Sequence, residues 1–216
     1  MKPFQYLIFD LDGTLIDSSN GVVEAVNYSL RMMHQPEQPP ERIKRFIGFP
    51  LSSMYPHFTD APVAELYRHF QARAAETVVA STVSLDGVDG TLRDLRRLGL
   101  GMAVATTKIR RHVDGILDKF DWRTLFDAVV GGDEVEHVKP APDALRLVLQ
   151  RLRAKPRDAL VVGDTINDIE AARAVPMKAI AVESPYGGRA EVEASRPDYL
   201  IKSVADLPAL LEQITQ

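Results

Sequence analysis

Five short apolar runs punctuate the chain, at residues 6–9, 102–105, 128–130, 159–162 and 179–182. In each, odd and even positions are both mostly apolar, so neither face of the predicted strand is set for water. That is the pattern of strands in a parallel sheet covered on both sides. Segments with helical spacing separate the last four runs. Residues 91–98 place Leu92, Leu95 and Leu98 on one face, and 109–120 do the same with Val113, Ile116, Leu117 and Phe120. Residues 143–152 carry Leu145, Val148, Leu149 and Leu152 and open after Pro142, a good residue for a helix start. Segments 168–174 and 204–214 complete the set. Strand alternating with helix predicts an α/β fold, a doubly wound parallel sheet with right-handed crossovers.

One interval breaks the rhythm. The stretch from Thr14 to Thr106 is far longer than the roughly dozen residues a crossover needs. Residues 90–98 already supply the crossover helix. The surplus reads as helical: Val22, Val23, Val26 and Leu30 form one stripe, and Val63, Leu66, Tyr67 and Phe70 another, with the turn-rich "HQPEQPPE" between them. The predicted division is therefore a core from 1–17 and 83–216, and an inserted helical cap from 18–82. A lid over the loop that precedes it and a merely decorative bundle both fit that pattern.

Composition narrows the class without changing the fold. The 216 residues are 45% hydrophobic and 26% charged, ordinary for a globular protein. A net charge of -4 gives no reason to expect nucleic acid or an anionic membrane as partner. There is no cysteine, which excludes disulfides, thiolate metal sites and cysteine nucleophiles. The N-terminal apolar run is broken by Asp10, too early for a signal peptide or a membrane span. A cytoplasmic protein, monomer or homodimer, is the expectation.

The chemistry concentrates where the strands end. In "YLIFDLDGTLID" an apolar strand runs straight into Asp10 and Asp12, then Gly13 and Thr14. "ALVVGDTIND" ends a second strand on Asp164 and Asp168. "MAVATTK" ends a third on Thr106, Thr107 and Lys108, and "HVKPAPD" brings Lys139 after a fourth. Open α/β sheets bind ligands at the carboxyl ends of their strands. Carboxylates crowded there repel unless a cation joins them. Oxygen donors without cysteine or paired histidines favour Mg²⁺ over zinc. A divalent ion and a lysine facing a nucleophilic carboxylate are the equipment of phosphoryl transfer.

With "DLDGT" at 10–14, Thr106 at a strand end, Lys139 in "KPAPD" and "GDTINDIEAA" at 163–172, in that order, the chain resembles the haloacid dehalogenase superfamily. Within it, it resembles the phosphoglycolate phosphatase-like branch, with a Rossmann-like core and a helical cap after the first motif. The resemblance implies a phosphatase that takes a small phosphorylated metabolite. In it Asp10 attacks phosphorus, and Asp12 protonates the leaving group and later deprotonates water. Thr106 and Lys139 steady the phosphoryl oxygens and the nucleophile. Mg²⁺ is held by Asp10, Asp164 and the backbone carbonyl of Asp12, with Asp168 binding the ion or its waters. To act as an acid, Asp12 must hold a proton, which nearby negative charge would favour. Thr14 is mainly structural, and Gly13 lets the chain turn away sharply.

The remaining candidates face the substrate. Thr107 stands where the family usually has asparagine, Lys108 follows it, and "ERIKRFIGFPLSS" resembles the cap segment that meets the active site. Arg45 and Gly48 in that segment are candidate substrate contacts, and Arg45 or Lys44 could pair with a substrate carboxylate or second phosphate. Trp122 reads as a packing anchor, and His57 and His137 as solvent-facing. Rival readings remain, a phosphonate-cleaving relative and a non-catalytic phosphate-binding module among them. A phosphomutase would use the same two aspartates, though its relatives usually carry valine where Thr14 stands. An inorganic pyrophosphatase would need no ester. A dehalogenase lacks the second acid.

Overall fold

The structure of the protein is a computed structural model, and it describes residues 4–215. Eight strands are present among these residues: β1 (Tyr6–Phe9), β2 (Ile16–Asp17), β3 (Val83–Ser84), β4 (Gly101–Ala105), β5 (Ala128–Val130), β6 (Ala159–Gly163), β7 (Lys178–Val182) and β8 (Tyr199–Ile201). Six of them form one parallel sheet in the order β5-β4-β1-β6-β7-β8. The five runs read from the sequence are β1 and β4 to β7. β8 was not read: "YLI" is short, and one of its three residues, Leu200, is 39% exposed at the sheet edge.

The alternation within each strand divides the core in two. Leu7 and Phe9 face one side with Met102, Val104, Leu160 and Val162. Ile8 faces the other with Ala103, Ala105, Val161 and Ala179. Helices cover both layers, which is why the strands show no polar face. In chain order the helices are α1 (Ser19–Met32), α2 (Pro40–Lys44), α3 (Leu51–Met54), α4 (Val63–Ser81), α5 (Val88–Arg97), α6 (Arg110–Lys119), α7 (Asp143–Leu152), α8 (Ile166–Ala174), α9 (Arg189–Ala194) and α10 (Leu207–Thr215). The first core side packs on α5, α6 and α10, the second on α7 and α8. Leu98 is not on the buried face with Leu92 and Leu95. The helix ends at Arg97, and Leu98 is 54% exposed in the turn that follows. Trp122 is fully buried, and its indole N–H donates to Asp89 at 2.8 Å.

Between β2 and β3 lie α1 to α4, with a hydrophobic cluster of their own built on Val26, Leu30, Ile43, Tyr55, Leu66 and Phe70. β2 and β3 pair antiparallel, so the chain leaves and re-enters the core side by side through a two-residue ribbon. Lys119 on α6 donates to the carbonyls of Val79, Ala80 and Thr82 at 3.1, 2.7 and 2.7 Å, placing a cation at the negative end of α4. Among the described residues no helix is long and apolar enough to cross a membrane.

Candidate active site

Register decides what meets at the strand ends. Phe9 lies opposite Val104 on one side and Val162 on the other. The residues that follow on the three central strands are therefore neighbours in space. Asp10 confirms the register by donating its backbone N–H to Val162 O at 2.8 Å. Thr106 donates its own to Val130 O at 3.1 Å. Asp10, Asp12, Thr106, Lys139, Asp164 and Asp168 are all buried.

Lys139 is the centre of the cluster. Its ammonium donates to Asp10 Oδ1 at 2.7 Å, to Asp168 Oδ1 at 2.5 Å and to the Ala105 carbonyl at 3.0 Å, which uses all three protons. Burial opposes the charge on Lys139, but the fields of Asp10 and Asp168 outweigh it and raise the pKa. Asp168 also opens α8: its Oδ2 accepts from Thr165 N at 3.0 Å and Thr165 Oγ1 at 2.7 Å. It thus serves both as a helix cap and as an anchor for Lys139.

Asp164 is held differently. Thr14 Oγ1 donates to its Oδ1 at 2.9 Å. Its Oδ2 is buried without a hydrogen-bond partner among the described residues. Gly13, at φ +82, crosses directly above it. A Cβ there would lie 2.1 Å from Asp164 Oδ2, so only glycine lets the turn pass.

Asp10, Asp164 and Asp168 each offer an oxygen, all within 4.8 Å of one another. Three ionised carboxylates against one ammonium leave two negative charges uncompensated in a buried space. The pKa directions show how the protein alone meets that deficit. Burial pushes Asp10 up to about 6, with Lys139 restraining the rise and Asp168 adding to it. Burial and the charges of Asp10 and Asp168 push Asp164 well up. A hard divalent cation removes the same deficit without protons, and the partnerless Asp164 oxygen is a ready ligand. The donor set fits Mg²⁺.

Asp12 stands apart from this cluster. Ser18 Oγ donates a short hydrogen bond to Asp12 Oδ1, and Lys108 Nζ lies 3.0 Å from Oδ2. Asp12 thus has a cation in direct contact, while its own negative charge is still felt by Asp10. Lys108 also reaches Ser18 Oγ at 3.4 Å, and its backbone N–H donates to Thr106 Oγ1 at 3.2 Å. Thr107 Oγ1 donates across to the Gly48 carbonyl at 3.4 Å, tying this loop to the α1–α4 segment.

Two adjoining clefts, which share Ile47 and Phe49, open beside the acids. A cavity of about 630 Å³ is lined by Asp12, Gly48, Thr107 and Lys108. A second, of about 660 Å³, is lined by Asp164, Thr165, Tyr186 and Arg45. The candidate substrate contacts are therefore not brought together: Gly48, Thr107 and Lys108 share the first cleft, whereas Arg45 is exposed and borders the second. Lys44 pairs with Glu41 at 3.6 Å. His57 and His137 are exposed, His57 stacked 4.7 Å from Phe46.

A model of the haloacid dehalogenase-like hydrolase family matches residues 7–182, which contain every acid and lysine of the cluster. The chain belongs to that family. As a member it is a hydrolase, and several of its relatives are phosphatases or pyrophosphatases by description. It is 33% identical over 213 residues to pyrophosphatase PpaX of Bacillus cereus (strain Q1), covering 97% of each chain. The solved structure of a haloacid dehalogenase-like hydrolase from Bacteroides fragilis superposes with a TM-score of 0.89 at 28% identity, covering 94% of this chain and 99% of that one. That of a predicted phosphoglycolate phosphatase from Haemophilus somnus 129pt gives 0.86 at 26%, covering 100% of both. The family fold and the parallel sheet read from the sequence agree.

Three residues at the site escaped sequence reasoning. Ser18 follows Asp17 directly, but a serine at a helix start reads as a cap. Its side chain instead holds Asp12. Tyr186 sits on the loop after β7, accepts from Ser18 N at 3.2 Å and donates to Asp17 Oδ1 at 3.0 Å. Nothing in the local sequence around position 186 signals a contact 168 residues away. His112, one turn along from Lys108, lines the first cavity with its Nε2 buried and partnerless. Burial, with Lys108 and Arg111 nearby, pulls it down to about 4.

Proposed function

We propose that this family member hydrolyses a phosphate monoester in two steps, through a phosphoryl group carried on Asp10, with Mg²⁺ as cofactor. The observation that carries the reading is the contrast between the two acids of one loop. Asp10 lies inside the Lys139 cluster, and Asp12 lies outside it, held by Ser18 and Lys108. Two carboxylates in unlike surroundings suit unlike roles.

Asp10 is the nucleophile. Its Oδ1 is held by Lys139, which fixes the side chain and offsets the repulsion between two anions. Asp10, Asp164 and Asp168 would hold the metal, with the backbone carbonyl of Asp12. When bound, Mg²⁺ supplies positive charge against the phosphoryl oxygens. Thr106 accepts from Lys108 N, so its own O–H is free to donate to a phosphoryl oxygen. Asp12 moves the protons. In its protonated form it delivers a proton to the leaving oxygen in the first step. In the second step the Asp12 carboxylate takes a proton from the water that attacks phosphorus.

The test is phosphate release with and without Mg²⁺ over a panel holding phosphoglycolate, pyrophosphate, sugar phosphates and nucleoside monophosphates. Asp10→Asn should lower turnover at least about a thousandfold, since the nucleophile is gone. Equal rates in wild type, Asp10→Asn and Asp12→Asn would overturn the mechanism. The PpaX relatives favour pyrophosphate as a second reading. Its leaving group departs without a proton, so Asp12→Asn should then spare the first step and slow only the second.

A further inference from the structure

The two clefts differ in which acid they show. Asp12, the proton donor of the proposed mechanism, lines the 630 Å³ cavity, and Asp164 lines the other. The leaving oxygen must lie against the proton donor, so the leaving group projects into the cavity that Asp12 lines. The walls of that cavity are mainly apolar. The α1–α4 segment contributes Phe46, Phe49 and Pro50 from the turn between α2 and α3, Leu51 from the start of α3, and Val63 and Tyr67 from α4. Ile109 and Val138 close it from the core side.

Its charges are few. Lys108 is the single cation among the described lining residues, and it is engaged by Asp12 on the phosphoryl side. Beyond that Asp12–Lys108 pair, the ionised group there is Asp133, which repels anions. Arg45 borders the adjoining cleft, beyond the shared wall of Ile47 and Phe49. A carboxylate or second phosphate on the leaving group would enter an apolar chamber with no free cation to meet it, a costly transfer. The neutral polar groups Ser52, Gln71 and His112 offer hydrogen bonds without charge. The buried Nε2 of His112 lacks any partner, as a site for a ligand hydroxyl would.

We propose that the leaving group is a neutral, mainly apolar alcohol, alkyl or aryl, seated in the chamber between Tyr67 and Ile109. This deepens the phosphatase reading and rests on it, since that reading assigns the proton transfer to Asp12. The probes are ethyl, butyl and hexyl phosphate, whose leaving groups differ little in acidity. A buried methylene is worth about fourfold in affinity. From ethyl to hexyl, kcat/KM should rise roughly 30- to 200-fold, allowing for incomplete burial. Hexyl phosphate should exceed phosphoglycolate and pyrophosphate. Tyr67→Ser, at a residue 43% exposed and outside the cap's own core, should reduce the hexyl-to-ethyl ratio severalfold. A flat or falling series, or a clear preference for the charged substrates, overturns the proposal. Hexyl- and ethylphosphonate, inert to hydrolysis, separate the two readings by calorimetry. Chain-length-dependent binding without turnover of any ester would sink the phosphatase mechanism and leave the chamber standing. Turnover without chain-length dependence would do the reverse.

Discussion

Replacing Gly13 by alanine tests the geometry of the site with a single methyl group. Two costs add. An L-residue at φ +82 is in the left-handed region, at about 1–2 kcal/mol. The new Cβ would lie 2.1 Å from Asp164 Oδ2 and 2.7 Å from its Cγ. Asp164 is buried and fixed by Thr14, so it yields only by giving up that bond. Overpacking of this kind costs about 1–3 kcal/mol. The sum is roughly 2–5 kcal/mol, or about 4–20 °C in Tm for a chain of this length. Gly99→Ala supplies the control: φ is +75, but nothing lies within 4 Å, so only the backbone cost applies. Thermal unfolding in EDTA compares the two variants without metal. Phosphate release then reports the position of Asp164, and a displacement near 1 Å should lower turnover about a hundredfold. If Gly13→Ala melts with Gly99→Ala and turns over like wild type, Asp164 is not where the geometry puts it.

Three further outcomes follow from the charges. Lys139→Met removes the one cation bonded to Asp10 and Asp168 among the described residues and should cost about 3–5 kcal/mol in the metal-free protein, read by urea unfolding, with Mg²⁺ restoring part of it. His112 is depressed to about 4 from an ordinary value of 6.5, so below pH 6.5 the unfolded chain takes a proton that the folded one refuses. Stability therefore falls as pH drops from 6.5 toward 4, and His112→Asn should flatten the urea midpoint between pH 7.5 and 5 relative to wild type; parallel curves would refute it. Because Asp10 and Asp164 are raised in the metal-free protein, Mg²⁺ binding at pH 6 should release protons, and fewer at pH 8; calorimetry in two buffers of unlike ionisation enthalpy counts them, and none at either pH would refute the assignment.

The sheet was legible because its strands are buried on both faces and carry little else. β1 and β5 begin and end where the apolar runs do, and α7 likewise spans the predicted residues. The acids and Lys139 were legible because each follows an apolar run directly. What stayed hidden depends on distance in the chain. Ser18 and Asp12 are six residues apart, but only the folded turn shows that the serine's partner is the acid and not its own helix. Tyr186 reaches Asp17 across nearly the whole sequence. Arg45 and Gly48 sit three positions apart in one segment, yet line two different, adjoining clefts that share Ile47 and Phe49 as a common wall. Residue type gave no sign of that division.

The spacing of the two acids has its own physical reason. Leu7, Phe9 and Leu11 all enter the same core layer, so the two-residue period of β1 persists beyond its last paired residue. Asp10 and Asp12 occupy the alternate positions, away from that layer and toward the strand ends. Leu11, fully buried between them, holds both in place while keeping their surroundings separate. One acid is left among Asp164, Asp168 and Lys139, and the other meets Ser18, Lys108 and the cavity beneath α4. Were the acids adjacent, one would be forced into the apolar layer. Were they three apart, the alternation would again bury one. A single intervening leucine is the shortest spacing that puts a nucleophile and a proton carrier on the same side of one strand end, in two different electrostatic settings.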